Sequence, residues 1–510
     1  MLGGGCGAIK GDAAEYAPMA AFVPAGAPLA STLGSRDARH LRAAGRAAAV
    51  VAARPFGGSR LDRPSRGAAT QSAPVMVVAV PTAVNPTPAF QHDDAGYMTV
   101  EGVRVRDIQD TLGEEASPFY VYSKAQISAN YAAYKDALEG VDAIIGYAIK
   151  ANNNKAVVKH LAGLGAGAVL VSGAELRLAM EAGMDTSRTV FNGNGKTPAE
   201  LRAAVRSKCL INVDSEFDAA HIADAARAEG LPASVLIRIN PDVDPEVHAY
   251  VSTGLANSKF GIRNSHLQWF LDYISEAGDD VLRLAGVHSH LGSTIKKVSI
   301  FKDAADIMLG FVNKIREGGG APHLRYLNIG GGLGIDYERV GEKLPSPADL
   351  INTIRPQLVA GGLTVIMEPG RSLVGNAGAL VSRVIGVKTN GSTRFIVTDG
   401  SMSELIRPAL YDAYMYIAAT EPGGETDVFD VVGPVCESSD FLGKGRSLPT
   451  PAEGSGLAVM DAGAYCQVMA SNYNMKRLPT EVLVDGDEWR VVRKGQTYDD
   501  LMAGYDGLDI

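Results

Sequence analysis

Cysteine is scarce in this chain: four in 510 residues, Cys6, Cys209, Cys436 and Cys466. None stands at the pair spacing of a thiolate metal centre, and four are too few for a disulfide framework, so a reducing compartment is expected. Basic charge is short as well. Lys and Arg number 48 against 57 Asp and Glu, and a net charge of −9 gives no electrostatic reason to expect nucleic acid. Long hydrophobic runs are missing too. The apolar stretches 47–53 and 75–80 fall far short of the roughly 20 residues that span a bilayer, so neither a transmembrane segment nor a membrane partner is expected. What is present is ordinary for a protein of more than one domain with a real core: 46% hydrophobic and 21% charged residues. A small-molecule partner fits this balance.

Charge is unevenly spread. Residues 1–90 hold nine Lys/Arg against four Asp/Glu, which leaves −14 on the remaining 420 residues. The basic residues of this beginning are almost all arginine, set in Ala, Gly, Ser and Pro without core periodicity. Residues 1–85 therefore read as an organelle transit peptide, with a disordered extension that stays attached as the alternative.

From about Gly96 the pattern becomes globular. Eight strand-length apolar runs, near 144–148, 169–171, 189–191, 210–213, 235–239, 285–289, 326–329 and 363–367, alternate with helical stretches such as 155–164, 175–182, 217–229 and 301–316. Alternation of this kind predicts parallel βα units and an α/β fold, a (β/α)₈ barrel over 119–375, with a doubly wound open sheet as the alternative. Past Gly375 the helical rhythm gives way to short β-type runs (379–387, 393–398, 427–432, 456–460, 488–492), read as a mostly-β domain over 376–510. Residues 96–118, with TVEGVRV, share that β character and are expected to pair with it.

The polar residues at the ends of the barrel strands suggest chemistry, because catalytic groups of a barrel sit at the C-terminal rim. Lys150, in YAIKAN, follows the first strand. The sixth ends in VHSHLGS, giving His288, His290 and Ser293; H-x-H also suggests a metal pair, but no third ligand follows at a suitable spacing, so no metal is expected. After the seventh comes NIGGGLG, whose Gly331 and Gly332 allow an anion close to the backbone, where a plain flexible turn is the bland reading. The eighth ends in MEPGRSLVG, with Glu368, Gly370 and Arg371; a surface ion pair is the alternative there. A cofactor with a phosphate, an aldehyde and a basic ring nitrogen needs a glycine nest, a lysine amine and an acidic partner, and all three are present.

YAIKAN, VSGAEL, NSKFGI, HSHLGS, NIGGGLG, EPGR, IRPALYDAY, CESSD and DAGAY, in this order over residues 95–510, resemble the diaminopimelate decarboxylases; FNGNGK and INVDSEFD are similar to their plant and algal branch, which is plastid-located. The resemblance implies a barrel that binds pyridoxal 5'-phosphate, a following β domain, and a homodimer with shared active sites. It implies that Lys150 carries the cofactor, His290 stacks on its ring, Glu368 pairs with the ring nitrogen, and Ser293, Gly331, Gly332, Gly370, Arg371 and Tyr465 surround its phosphate and the substrate edge. Arg371, Arg407 and Tyr411 would hold the distal carboxylate of meso-2,6-diaminopimelate, with Tyr465 beside it. Glu437 would accept the distal ammonium, and Cys436 would reprotonate the α-carbon from across the dimer interface. Met415–Tyr416 departs from the pattern, since relatives commonly carry a histidine there, and Cys209 and Cys466 read as packing residues.

The activity this implies is decarboxylation to L-lysine and CO₂. An ornithine or arginine decarboxylase is the nearest rival, and Arg407, Tyr411 and Glu437, suited to a zwitterionic end, argue against it. A racemase of similar architecture would pair the ring nitrogen with arginine rather than Glu368, and a silent binding homologue would have lost Lys150 or Cys436.

Overall fold

The computed structural model describes residues 89–508, apart from 243, 245–258, 320, 340 and 342. The expected leader (1–85), Cys6 and the first two residues of NSKFGI lie outside the described residues.

Three short strands, β1 (Phe90–His92), β2 (Met98–Val100) and β3 (Val103–Arg104), form a small antiparallel sheet that leads into the helix Val105–Leu112. β4 (Phe119–Ser123) follows. Then comes the barrel: β5 (Ala143–Ala148), β6 (Gly167–Leu170), β7 (Thr189–Phe191), β8 (Leu210–Val213), β9 (Ala233–Arg238), β10 (Leu282–His288), β11 (Tyr326–Asn328) and β12 (Thr364–Met367). All eight pair in parallel and in sequence order, and β12 closes on β5 through Val365 opposite Ala143. The barrel interior is packed by apolar side chains from successive strands, among them Ile144, Val169, Val190, Leu210, Leu236, Ala285 and Ile366. Such a filled core makes the barrel a rigid frame whose rim, not its middle, is open to a ligand.

Helix starts are written locally. Asn154, Ser172, Thr197, Ser215 and Ser346 each accept a backbone N–H of the first turn, and Thr197–Glu200 and Ser346–Asp349 form reciprocal capping boxes. Each cap stabilises its helix by about 1 kcal/mol, and each fixes where the chain leaves the rim.

After the barrel, β13 (Gly378–Asn390), β14 (Thr393–Thr398), β15 (Ile417–Ala419), β16 (Thr426–Val432), β17 (Phe441–Pro449), β18 (Gly456–Val459), β19 (Thr480–Asp485) and β20 (Glu488–Arg493) build the second region. The main sheet runs β17-β16-β14-β13-β4-β19-β20, with β18 joining β13 to β15. The strand donated from ahead of the barrel is thus β4, antiparallel to β13 and parallel to β19, and not a strand within 96–118. β4 is buried along its whole length, so FYVYS lacks the alternation of a half-covered strand. Within 96–118, β2 alternates because it lies on the sheet's face: Met98 and Val100, with Val105 and Ile108 of the following helix, pack on Phe119, Val121, Val381 and Val482, while β1, β2 and β3 pair with one another. No helix of the described residues is long and apolar enough to cross a membrane.

Candidate active site

Strand ends converge on one carboxylate. Glu368, just past β12, is buried and accepts hydrogen bonds from Asn192 Nδ2 after β7 (3.0 and 3.2 Å), Asn328 Nδ2 at the end of β11 (2.8 Å) and the His288 Nε2 at the end of β10 (3.3 Å). Asn212 of β8 donates in turn to Asn192 Oδ1. Burial pushes the Glu368 carboxyl up, but the His288 imidazole and the hydrogen bond from the Asn328 amide outweigh it and hold the group well below the usual carboxylate range. Glu368 is therefore a buried anion at neutral pH.

Lys150 follows β5 in a single 3₁₀ turn, Ile149–Ala151, and its side chain lines the cavity at the rim. That turn is pinned from the far side: Tyr465 N–H donates to Ala151 O (2.8 Å), Asn152 Nδ2 to Gly463 O (3.0 Å) and Tyr147 OH to Asn152 O (2.7 Å). His290 faces the same space. Its withdrawal from water, and then the Lys150 charge, push its imidazole well below the ordinary value, so it is neutral at pH 7. Because His290 Nδ1 accepts the Gly331 N–H (3.1 Å), the proton of the neutral ring sits on Nε2.

The glycine run is wedged rather than loose. A Cβ on Gly331 would lie 2.1 Å from Glu368 O, and Gly332, at φ +117°, would bring one to 2.4 Å from Gly292 O. Two amides that the run was expected to offer an anion are engaged internally, Gly331 with His290 and Gly330 with Asn328 Oδ1 (2.9 Å). A narrow recess remains, lined by Gly332, Ser293, Gly370, Arg371 and Tyr465 together with Lys150, His290 and Glu368. Arg371 donates to Ser293 Oγ and to the Tyr337 hydroxyl and lies over the Tyr465 ring, 4.6 Å from its centroid.

This recess opens beside a cavity of about 820 Å³ that Arg407 and Tyr411 also line. Arg407 is buried, with Nη1 unpartnered among the described residues. Its neighbours are the Tyr337 and Cys466 side chains, and a buried guanidinium with an open donor and no carboxylate beside it among the described residues is costly unless a ligand satisfies it. The residues fit pyridoxal phosphate on three structural grounds: a buried acid held ionised for a protonated ring nitrogen, a lysine at the rim, and close-packed glycines beside an arginine and a serine for the phosphate.

Cys436 and Glu437 do not join this group within the chain. Both are exposed on a β-domain loop, where Cys436 N–H donates to Asn474 Oδ1 (2.9 Å) and Tyr473 OH to Glu437 (3.1 Å). Cys209 and Cys466 are buried, and burial pushes their thiols up to about 12 and about 11.

Sequence reasoning missed the partners of Glu368. Asn192 lies within FNGNGK and Asn212, which supports it, within INVDSEFD, motifs that mark only a branch of the resemblance; Asn328 opens NIGGGLG, and H-x-H suggests His288 only as a metal ligand. The available signal was positional: a polar side chain at the C-terminal end of an otherwise apolar barrel strand has to point at the rim or lie buried with a partner. Tyr337 and Arg238, which also line the cavity, were missed for want of any motif.

Residues 124–375 match the family of the pyridoxal-dependent decarboxylases through its pyridoxal binding domain. A probable chloroplastic diaminopimelate decarboxylase of Oryza sativa subsp. japonica is 55% identical over 426 residues, covering 83% of this chain and 86% of that one. The diaminopimelate decarboxylase of Aquifex aeolicus is 40% identical over 414 residues, 81% of this chain and 96% of its own. Among solved structures, the diaminopimelate decarboxylase of Helicobacter pylori complexed with L-lysine superposes with a TM-score of 0.74 at 34% identity, over 78% of this chain and 99% of the other. Identity at this level across both regions, with the same closed barrel beneath it, places the chain in the diaminopimelate decarboxylase family.

Proposed function

We propose that this chain removes CO₂ from the D-centre of meso-2,6-diaminopimelate to give L-lysine, the last step of lysine biosynthesis, and that it works in the plastid stroma as a homodimer with shared sites. The observation that carries the reading is the meeting of Lys150, neutral His290, ionised Glu368 and the guanidiniums of Arg371 and Arg407 around one cavity. Bound pyridoxal 5'-phosphate supplies a conjugated ring that takes up the electron pair left when the substrate's C–CO₂ bond breaks. Lys150 holds the cofactor through its amine. Glu368 keeps a proton on the ring nitrogen, because its own charge is secured by Asn192, Asn328 and His288. His290, uncharged, covers the ring without competing for that proton. Ser293, Gly331, Gly332, Gly370, Arg371 and Tyr465 surround the phosphate.

Arg371, Arg407, Tyr411 and Tyr465 hold the distal carboxylate, Glu437 accepts the distal ammonium and Cys436 delivers a proton to the α-carbon. The exposure of Cys436 and Glu437, away from their own chain's cavity, supports their serving a partner subunit. The name of the rice relative and the arginine-rich residues 1–85 support a plastid address.

Purified holoenzyme is expected to release CO₂ from meso-diaminopimelate and not from ornithine or arginine, because a substrate lacking the distal carboxylate leaves a buried guanidinium unpaired. Equal turnover of ornithine would overturn the substrate assignment. A reporter fused behind residues 1–85 is expected in the plastid, and a cytosolic reporter would overturn the address.

A further inference from the structure

Three guanidiniums line the cavity, and like charges enclosed together repel; Arg238 has the Asp214 carboxylate 3.8 Å away, which leaves Arg371 and Arg407 to be compared. Their donors are committed differently. Arg371 directs Nε and Nη2 to Ser293 Oγ (3.2 and 3.1 Å) and Nη1 to the Tyr337 hydroxyl, whereas Arg407 lies beside the Tyr337 and Cys466 side chains and keeps Nη1 without a hydrogen-bond partner among the described residues. Tyr337 meets both cations: its ring centroid lies 5.7 Å from Arg371 Cζ and 4.6 Å from Arg407 Cζ.

The loop that carries Tyr337 is built by two devices. Asp336 Oδ1 accepts the N–H groups of Glu338 and Arg339 (3.0 and 2.8 Å), closing a tight turn that leaves Arg339 at φ +55°. Arg339 then pairs with Asp461, Nε and Nη2 lying 3.0–3.2 Å from the two carboxylate oxygens, with both residues buried. Asp461 and Tyr465 also hold positive φ, +57° and +56°. Backbone of this kind at bulky residues persists only where surrounding contacts over-determine it. The ion pair therefore ties the loop bearing Tyr337 to the segment bearing Tyr465.

We propose that Tyr337 is a specificity-positioning residue: its hydroxyl accepts from Arg371 and its ring faces Arg407, so that one side chain holds both guanidiniums where the substrate carboxylate is received, with the Arg339–Asp461 pair fixing the loop. This rests on the proposed function and sharpens it by naming the residue that sets the two carboxylate-binding arginines. Tyrosine suits the task because its hydroxyl accepts a charge-assisted hydrogen bond while its ring face stabilises a second cation without neutralising it. A carboxylate in its place would occupy Arg407 and compete with the substrate.

The test compares inhibition of the holoenzyme by L-lysine and by cadaverine, which differ by one carboxylate, together with KM, kcat, melting temperature and cofactor absorbance. Tyr337→Phe keeps the ring and removes the hydroxyl. It is expected to weaken L-lysine about tenfold, as loss of a hydrogen bond to a charged group implies, and to raise KM similarly, with cadaverine, kcat, melting temperature and absorbance nearly unchanged. Arg339→Lys, which keeps the charge but loses the fork, is expected to move L-lysine the same way by less. Unchanged L-lysine inhibition in Tyr337→Phe, or equal weakening of both ligands, overturns the inference while the proposed function stands. A wild-type enzyme that neither turns over diaminopimelate nor binds L-lysine removes the proposed function and this inference with it.

Discussion

Glu368 and Glu404 are both buried carboxylates, 6% and 1% exposed, yet they titrate in opposite directions. At the barrel rim, Glu368 has amide and imidazole donors from three strand ends, and these outweigh burial. In the second region, both Ser401 donors, N–H (2.8 Å) and Oγ–H (2.6 Å), fall on one oxygen of Glu404. There burial prevails over Ser401 and Lys476, and the carboxyl is pushed up to about 7. Burial alone therefore does not decide charge; the number and direction of donors do. The same contrast holds for the functional groups. The rim encloses its residues with neighbours from its own chain, whereas the second region presents Cys436 and Glu437 outward.

The hardest way to break this comparison is to remove one member from each half. Lys150→Ala is expected to abolish the visible absorbance of lysine-bound cofactor and to lower turnover by about three orders of magnitude or more. Cys436→Ala is expected to lose turnover but keep the absorbance, because the rim is untouched. Mixing the two inactive chains under subunit exchange then separates the halves. If each site combines the rim of one subunit with the loop of the other, half of the dimers are mixed and each has one intact site, so about a quarter of wild-type activity per subunit should return. Activity that stays at the level of the separate mutants, with exchange verified by mass, would mean that Cys436 serves its own chain.

A smaller effect tests the titration contrast. The folded value of Glu404 lies above its ordinary 4.5, so the native state binds that proton more tightly than the unfolded chain does. The stability this lends is fully present below pH 4.5 and is lost as pH rises through about 7, a difference on the order of 3 kcal/mol at roughly 1.4 kcal/mol per pH unit. Glu404→Gln, which does not titrate, is expected to gain stability relative to wild type between pH 5 and pH 8 in denaturant melts. A wild-type-to-variant difference that stays constant with pH would contradict it.

Much of the frame was legible because its signals are local. The eight barrel strands show as strand-length apolar runs between helical periods, and the observed strands fall within a few residues of those runs. Other strands left weaker traces. β4 is buried throughout, so its residues FYVYS show no polar face, and β17, FLGKGRSLP, is interrupted by Gly443 and Gly445 and lacks the β-branched character of a strand. The site was legible where a motif and a strand end coincide, at Lys150, His290 and Glu368. It was illegible where the arrangement of the cavity rests on an unremarkable side chain such as Asn192, Asn212, Tyr337 or Asp461.

The sequence by itself determined the alternation that makes a barrel, the caps that start its helices, the strand-end positions of the lysine, glycine and acidic groups, and the motif order of a decarboxylase family. These depend on residues within a few positions of one another, where backbone geometry and side-chain period leave little choice. Only the tertiary structure decided that β4 completes the second sheet, that three strand ends keep Glu368 ionised, that Arg339 meets Asp461, and that Cys436 faces away from its own cavity. Each of those joins residues distant along the chain, and which distant groups meet is set by closure of the barrel and packing of the sheet, a property no local period encodes.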